Sequence, residues 1–129
     1  MAQLGYVCIG TSDFDRACSF YDALLGEIGG KRLFPTPQGL MYGIGKGGAM
    51  LMVTRPYNKE AAAPGNGNMV GINVDSKADV ARMHEKALAL GGTCEGKPGP
   101  RGAFGDFAYF RDLDGNKLAV FCTAQQMQS

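Results

Sequence analysis

The sequence matches itself at an offset of 63 residues, and this internal repeat constrains the fold more than any other feature. Residues 6–9 (Tyr-Val-Cys-Ile) fall on residues 69–72 (Met-Val-Gly-Ile). Five apolar positions between 17 and 25 have the spacing of an amphipathic helix, and the spacing recurs between 80 and 88. Further along the offset becomes 67, which places Tyr42 on Tyr109 and residues 51–53 on 118–120. Two copies of one unit predict a pseudo-symmetric fold with a functional site between the halves.

Both halves show the same order of predicted elements. Strands at 4–10 and 68–75 precede capping-box patterns, Ser12 with Asp15 and Ser76 with Asp79, which open helices to about residues 25 and 90. Further strands are predicted at 30–34, 39–45, 49–55, 93–96, 107–112 and 117–122. The sequence therefore predicts an α+β fold in which two βαβββ modules, residues 1–56 and 68–125, follow one another through a linker at 57–67. The modules are expected to form a curved mixed sheet with helices on its outer face.

The glycine-rich stretch Gly43–Gly48 has the spacing G-x-G-x-x-G, which is found in phosphate-binding loops. A strand-like segment follows it, whereas a phosphate-binding loop opens a helix. We therefore interpret it as a hairpin connection.

Charge and composition limit the partners of the chain. The 129 residues are 45% hydrophobic, enough for a core, and 13 basic against 12 acidic side chains give a net charge of +1. Without a block of like charge, no nucleic-acid or membrane surface is predicted. No signal peptide or membrane span is apparent, so a cytoplasmic location is expected.

The four cysteines lack Cys-x-x-Cys spacing and are predicted to be buried free thiols in a reducing compartment.

Alternate residues of the predicted strands differ sharply in character. One series is almost purely aliphatic, as expected beneath a packed helix. The other mixes aromatic, sulfur-containing, small and polar side chains, and it includes Tyr6, Met52, Met69, Ala119 and Phe121. We predict that this series lines a concave cavity for a small molecule. The alternative is that these side chains merely fill the space between the two halves of the sheet.

The family resemblance rests on the paired βαβββ modules, on the opening segments 5–7, 11–17 and 20–21, and on the last hairpin, Phe110–Asn116. These features resemble the vicinal oxygen chelate superfamily, which includes glyoxalases, bleomycin-resistance proteins and extradiol dioxygenases. The resemblance covers nearly the whole chain and implies a homodimer. Enzymes of the superfamily bind a divalent metal through the first and last strands of each module.

Carried over to this sequence, the metal-ligand positions are Tyr6, Met52, Met69 and Ala119. A neutral phenol, two thioethers and a methyl group do not form a site for a hard or borderline divalent metal. The sequence has one histidine, His84, which is expected to pack between helix and sheet. We therefore predict that the metal chemistry of the superfamily has been lost, and that no cofactor is bound.

The second half has four extra residues within 101–107, which contain Arg101 and Phe104. This segment is predicted to be either a flap over the cavity or an ordinary surface loop. In a flap, Arg101 would pair with a ligand carboxylate or phosphate and Phe104 would exclude water. Lys117 is a second candidate cation.

Three functions are compatible with these observations. The leading hypothesis is a metal-independent protein that binds a neutral or anionic, partly apolar ligand, with Tyr6 as the main hydrogen-bonding group and Met52, Met69 and Phe121 as walls. The alternative is a glyoxalase-type lyase, isomerase or dioxygenase that uses non-standard metal ligands, or that uses Tyr6 and a carboxylate such as Asp106 for acid-base work. Tyr6 is the first candidate for a catalytic residue. The third is a module that serves only in homodimerisation or other protein interactions.

Overall fold

A computed structural model describes residues 1–45 and 48–128, and its contacts divide the chain into two units, Met1–Pro64 and Gly65–Ser129. The first unit contains β1 (Tyr6–Gly10), α1 (Phe14–Gly26), β2 (Lys31–Pro35), β3 (Gly39–Gly43) and β4 (Met50–Thr54). The second contains β5 (Val70–Asn73), α2 (Lys77–Ala89), β6 (Thr93–Arg101), β7 (Gly105–Arg111), β8 (Lys117–Thr123) and the short helix α3 (Ala124–Met127). The predicted α+β fold of two βαβββ modules is confirmed. The hairpin connection predicted at 43–48 includes residues 46 and 47, which lie outside the described residues.

Each unit has its own four-stranded mixed sheet. The strand order is β1-β4-β3-β2 in the first unit and β5-β8-β7-β6 in the second. The first and last strands of each module run parallel, and the other neighbouring strands run antiparallel. The parallel pairing needs a crossover, which the helix of each module supplies.

Each helix covers one face of its sheet and leaves the other face open. In the first unit the covered face includes Ile9, Leu51 and Val53, all less than a tenth exposed. In the second unit it includes Ile72, Leu118 and Val120, which are also buried. Because successive strand residues point to opposite sides, the mixed series of side chains lies on the open faces.

The strand registers correct one detail of the repeat. Tyr42 lies opposite Leu51, and the residue in the matching place opposite Leu118 is Phe110. The offset between β3 and β7 is therefore 68 residues, one more than the 67 that aligns Leu51 with Leu118. Since one residue of slip exchanges the two faces of a strand, Tyr42 is buried beneath the helix while Tyr109 lies on the open face.

The N-termini of the two long helices have different caps. Asp13, and not Ser12 as predicted, caps α1, and its carboxylate accepts a hydrogen bond from the Arg16 N–H at 3.2 Å. Ser12 instead accepts a hydrogen bond from the Ala62 N–H at 2.8 Å. Ser76 caps α2 as predicted and accepts from the Asp79 N–H at 3.1 Å. Both caps satisfy N–H groups that a helix leaves unpaired in its first turn.

A hydrogen-bond network that runs from the buried Tyr42 to the exposed Arg32 joins α1 to β2 and β3. The Tyr42 hydroxyl donates to Asp22 at 2.8 Å, and Arg32 donates to the same carboxylate through two nitrogens, at 2.9 and 2.7 Å. The Arg32 guanidinium holds the pKa of Asp22 below its ordinary value, while burial, followed by the bond to Asp22, holds the pKa of Tyr42 well above its own. This network fixes α1 against the sheet of the first unit.

The four cysteines are free thiols, but only two of them are buried. Cys18 lies on the inner side of α1, and Cys122 lies on the covered face of β8. Cys8 and Cys94 are exposed, which corrects the prediction that all four are buried. Cys8 is exposed because it belongs to the open face of the first sheet.

Candidate functional site

Three aromatic side chains form a stack on the open face of the second unit. Phe107 lies directly opposite Phe121 in the β7–β8 register, and their ring centroids are 4.9 Å apart with an interplanar angle of 9°. The Tyr109 ring lies 6.2 Å from that of Phe107 at an angle of 20°. All three side chains are partly exposed. We call Phe107, Tyr109 and Phe121 the aromatic ladder.

Two cations lie over the ring of Tyr109. The guanidinium carbon of Arg101 and the ammonium nitrogen of Lys117 are each 5.4 Å from its centroid. Neither residue forms an ion pair with any residue in 1–45 or 48–128, whereas the neighbouring Arg111 is paired with Glu95 and lowers the pKa of that carboxyl. The edge of the ladder near Tyr109 therefore carries two cations that form no ion pair within the described residues, and Lys117 acts at longer range on Glu95, where it adds to the effect of Arg111 in lowering the pKa.

Arg101 and Phe104 belong to the hairpin formed by β6 and β7. Strand β6 continues to Arg101, and β7 begins at Gly105. The predicted strand at 93–96 therefore continues through Pro98 and Pro100, and β6 is an edge strand, where proline is tolerated. Its register with β7 is irregular at two places. With β3 aligned to β7 at the corrected offset of 68, the second module has five extra residues before β7 instead of four, and they lengthen a β-ribbon.

The hairpin also holds the Arg101 guanidinium in place. It donates hydrogen bonds to the carbonyl oxygens of Lys97 at 2.8 Å, Gly99 at 3.0 Å and Pro100 at 3.2 Å. Phe104 is 78% exposed at the tip, and its carbonyl oxygen accepts from the Ala124 N–H at 2.8 Å. Arg101 is therefore a fixed positive group beside Tyr109.

Asp106, proposed as an acid-base partner for Tyr6, faces away from the ladder. It precedes Phe107 and lies opposite Cys122 on the covered face, and it is only 7% exposed. Because side chains alternate along a strand, Asp106 and the ladder lie on opposite sides of the sheet. The prediction of a catalytic role for Asp106 on the open face is wrong.

Helix α3 closes the other side of the ladder. Asn73, opposite Phe121, exchanges two hydrogen bonds with the Gln126 side chain, at 2.8 and 3.2 Å. Thr123 and Gln126 form a capping box at the start of this helix. The polar side chain of Asn73 is thus hydrogen-bonded within the protein, in contrast to the cations at the edge near Tyr109.

The open face of the first unit carries Tyr6 and Met52. Tyr6 is 52% exposed, and its hydroxyl has no hydrogen-bond partner within 1–45 and 48–128. Met52 lies opposite Cys8 on one side and Met41 on the other. Leu33 and Phe34, at a bulge in β2, are also exposed. This face offers apolar area and one accessible hydroxyl.

The two remaining predicted site residues belong to the second unit. Met69 immediately precedes β5 and is 49% exposed. Ala119 lies between Gly71 and Tyr109 on the open face of β8, but neighbouring groups cover it and leave 1% exposed. A ligand on this face would therefore meet the ladder rings before it met Ala119.

The side chains at the four carried-over metal-ligand positions do not fit a divalent metal centre. The four positions that the resemblance assigns to metal ligands supply one phenol, two thioethers and one methyl group. Zinc and iron sites use imidazole, thiolate and carboxylate ligands. Within residues 1–45 and 48–128, no three His, Cys, Asp or Glu side chains are grouped so that they could hold a metal ion.

His84 lies between α2 and β6, as predicted. It is 6% exposed, and its Nε2 atom is 3.3 Å from the Sγ atom of Cys94. Cys94 is opposite Phe110 in the register, so this pair lies on the covered face of the sheet, away from the ladder.

Stability is expected to decrease as the pH falls from 7 to 5 because of His84. Burial lowers the pKa of His84 from its ordinary value of 6.5, so the unfolded chain takes up a proton at a higher pH than the folded chain. The stability is fully present above about pH 6.5 and is lost progressively toward the lower folded pKa. Urea unfolding at several pH values measures the slope. His84→Gln should remove the slope between pH 7 and 6, since the sequence has no other histidine, and a slope that persists in that interval would contradict the assignment.

Sequence reasoning missed Phe107 and Tyr109 as members of the site. The signal was present in the alternation of residues 107–111, where Phe107, Tyr109 and Arg111 share one face. The offset of 67 residues concealed this alternation, because it aligned Tyr109 with Tyr42, which is buried.

The comparisons with known proteins agree with this fold. Residues 3–120 match the family model for the glyoxalase/bleomycin resistance protein/dioxygenase superfamily. A solved glyoxalase/bleomycin resistance protein from Albidiferax ferrireducens T118 is 32% identical with a TM-score of 0.83, and the match covers 92% of this chain and 97% of that one. The chain therefore belongs to the glyoxalase/bleomycin resistance protein/dioxygenase superfamily.

Two further solved structures share the fold at lower identity. A glyoxalase-related enzyme from Fulvimarina pelagi is 22% identical, with a TM-score of 0.77 and coverage of 95% of this chain and 89% of that one. A family enzyme from Burkholderia phytofirmans PsJN is 20% identical, with a TM-score of 0.78 and coverage of 95% of this chain and 99% of that one.

A search of the curated proteins gave no significant match. Among the helices of the described residues, none is long and apolar enough to cross a membrane.

Proposed function

We propose that this glyoxalase-like protein binds a neutral or anionic, partly apolar small molecule on its open sheet faces, without a metal. The observation that carries the proposal is the aromatic ladder with two cations at its Tyr109 edge, Arg101 and Lys117, which form no ion pair within the described residues. Partly exposed stacked rings provide a flat apolar surface, and fixed positive charge beside them favours an acidic substituent.

An aromatic carboxylate satisfies both features of this surface. Its ring would pack against the ladder, where an aromatic contact contributes about 0.5–1.5 kcal/mol beyond the burial of area. Its carboxylate would lie toward Arg101 and Lys117, which carry no ion pair within the described residues. A cationic ligand would be repelled by the same two groups.

The first unit supplies the other predicted ligand contacts. The Tyr6 hydroxyl is accessible and unpaired within the described residues, and it suits a hydrogen bond to a carbonyl or carboxylate oxygen. Met52 would provide an adaptable apolar contact. Phe104 and Met69 are exposed and remain predicted contacts of the second unit.

Metal independence rests on the donor set at the four carried-over positions. A phenol, two thioethers and a methyl group are poor ligands for zinc, iron, nickel or manganese. The enzymatic alternative that relied on Asp106 is disfavoured because this carboxylate lies on the covered face. A homodimer and a cytoplasmic location remain predictions from the resemblance and from the sequence.

We expect protein purified without an affinity tag to contain no stoichiometric Zn, Ni, Mn or Fe. Elemental mass spectrometry, followed by calorimetric titration with each divalent ion, measures this. Tight binding of one ion per chain would contradict metal independence and would favour the lyase or dioxygenase alternative.

Ligand binding is tested with 1-naphthoate, its neutral amide and 1-naphthylmethylamine. We expect naphthoate to bind more tightly than the amide, and the amine to bind weakest. Phe121→Leu, which removes a ladder ring but keeps apolar volume, should weaken naphthoate about tenfold. Tyr57→Ala is the matched control, since Tyr57 is 91% exposed and lies outside the ladder. Equal loss in both variants, or equal affinity for all three compounds, would contradict the proposal.

A further inference from the structure

We propose that the first unit contains a second binding site, for a small organic oxyanion, in a pocket at the end of its sheet. The pocket has a volume of about 460 Å³, and its nine lining residues all belong to the first unit. This size is within the range of about 300–1,000 Å³ usual for small-molecule sites. None of the predicted ligand-contacting residues of the open faces lines it.

Three chain segments form the walls of the pocket and are hydrogen-bonded to one another. The segment after β1 is held to the end of β4 by the Thr11 N–H, which donates to the Thr54 carbonyl oxygen at 3.0 Å. The turn between β2 and β3 accepts at the Gln38 carbonyl oxygen from the Arg55 N–H at 2.9 Å. Ser12 accepts from the Ala62 N–H at 2.8 Å. The walls are therefore held together by hydrogen bonds within the first unit.

Positive charge predominates among the lining residues. Arg55 and Lys59 both line the pocket, and neither forms an ion pair within residues 1–45 and 48–128. The guanidinium carbon of Arg55 lies 4.2 Å from the ring centroid of Phe14, which restricts where this group can point. Glu60 is the one acidic lining residue, and its carboxylate accepts a hydrogen bond from the Asn58 amide at 3.0 Å.

The backbone at Lys59 is unusual. Its φ angle is 66°, and it is the one non-glycine residue with positive φ among the described residues. A lysine in this conformation costs roughly 1 kcal/mol relative to glycine or asparagine. Its N–H donates to the Pro56 carbonyl oxygen at 3.0 Å, so a turn holds it there. This conformation supports a role for the Lys59 side chain at the pocket.

These features define the class of ligand. Arg55 matches a carboxylate or a phosphate because its planar group can donate two parallel hydrogen bonds, and Lys59 adds a point charge. The side-chain amide of Gln38 and the proline walls suit a small organic body attached to the oxyanion. Benzoate and phenyl phosphate each combine an oxyanion with an aromatic ring, whereas inorganic phosphate has the negative charge without an organic group.

The test is an NMR titration of the ¹⁵N-labelled full chain with benzoate, phenyl phosphate, inorganic phosphate and the neutral benzamide. We expect saturable shifts at the amides of Ser12, Gln38 and Lys59 with the two organic anions, and at least tenfold weaker binding of benzamide. Inorganic phosphate alone should bind more weakly than phenyl phosphate. Shifts confined to the ladder residues, or equal binding of benzamide, would overturn the proposal.

Charge-removing variants locate the interaction. Arg55→Gln and Lys59→Gln should each weaken the organic anions about tenfold, while Lys31→Gln, an exposed cation of the same unit outside the pocket, should change affinity less than twofold. Arg55→Lys keeps the charge and removes the planar fork. It should recover only part of the affinity. An equal effect of Lys31→Gln would overturn the proposal, since it would show general electrostatic attraction.

A ladder variant separates this site from the proposed function of the open face. Phe121→Leu should leave binding at the first-unit pocket unchanged, and Arg55→Gln should leave naphthoate binding at the ladder unchanged. Loss of pocket binding in Phe121→Leu would contradict an independent site.

Discussion

Replacing Gly105 by alanine is expected to lower the free energy of unfolding of the second unit by about 4 kcal/mol. Gly105 begins β7 with a φ angle of 148°, a conformation that residues with a Cβ atom rarely adopt. An added Cβ would also lie 2.0 Å from the Cys122 carbonyl oxygen and 2.9 Å from the Thr123 Cα atom, both on the neighbouring strand. Relief would require β7 and β8 to separate at the end of the ladder.

The chain supplies a matched control for this variant. Gly45 has a φ angle of 156°, but apart from its chain neighbours no atom of the described residues lies within 4 Å of the place where its Cβ would be. Gly45→Ala should therefore show the conformational cost alone, about 1–2 kcal/mol. Urea unfolding followed by circular dichroism measures both variants, since the sequence has no tryptophan. If the two variants lose equal stability, the contact with β8 is unimportant.

Asp112→Ala is expected to destabilise the second unit by about 3 kcal/mol. The Asp112 carboxylate is almost buried and accepts hydrogen bonds from the N–H groups of Asp114 and Asn116, each at 2.9 Å, and from the Asn116 side chain at 3.0 Å. Alanine would leave these donors without their partner in the turn that joins β7 to β8.

The isosteric variant Asp112→Asn tests this explanation. It retains one acceptor oxygen and the shape of the side chain, so we expect about half the loss. The free energies of unfolding come from the same urea measurements. A larger loss in Asp112→Asn than in Asp112→Ala would contradict the hydrogen-bond explanation.

Because the turn precedes Lys117, naphthoate binding should weaken in Asp112→Ala if the turn positions this cation.

Much of the candidate site could be predicted from strand alternation. The alternation of strand residues assigns Tyr6, Met52, Ala119 and Phe121 to one face, and the registers place them on the open faces. This assignment succeeds because the alternation of side chains between the two faces of a strand depends only on the local backbone. Accessibility was not predictable in this way, since Ala119 lies on the open face but is covered by its neighbours.

By itself the sequence determined the repeated βαβββ order, the helix positions and the aliphatic face of each strand, because each depends on the spacing of residues close together in the chain. The superfamily came from the resemblance of the modules and motifs to a known family, and the family model confirms it. The tertiary structure alone decided the one-residue shift between β3 and β7, the continuation of β6 through two prolines, the burial of Asp106 on the covered face and the pairing of Asn73 with Gln126. Each of these depends on hydrogen bonds between distant segments, which select one register among several that the local pattern allows.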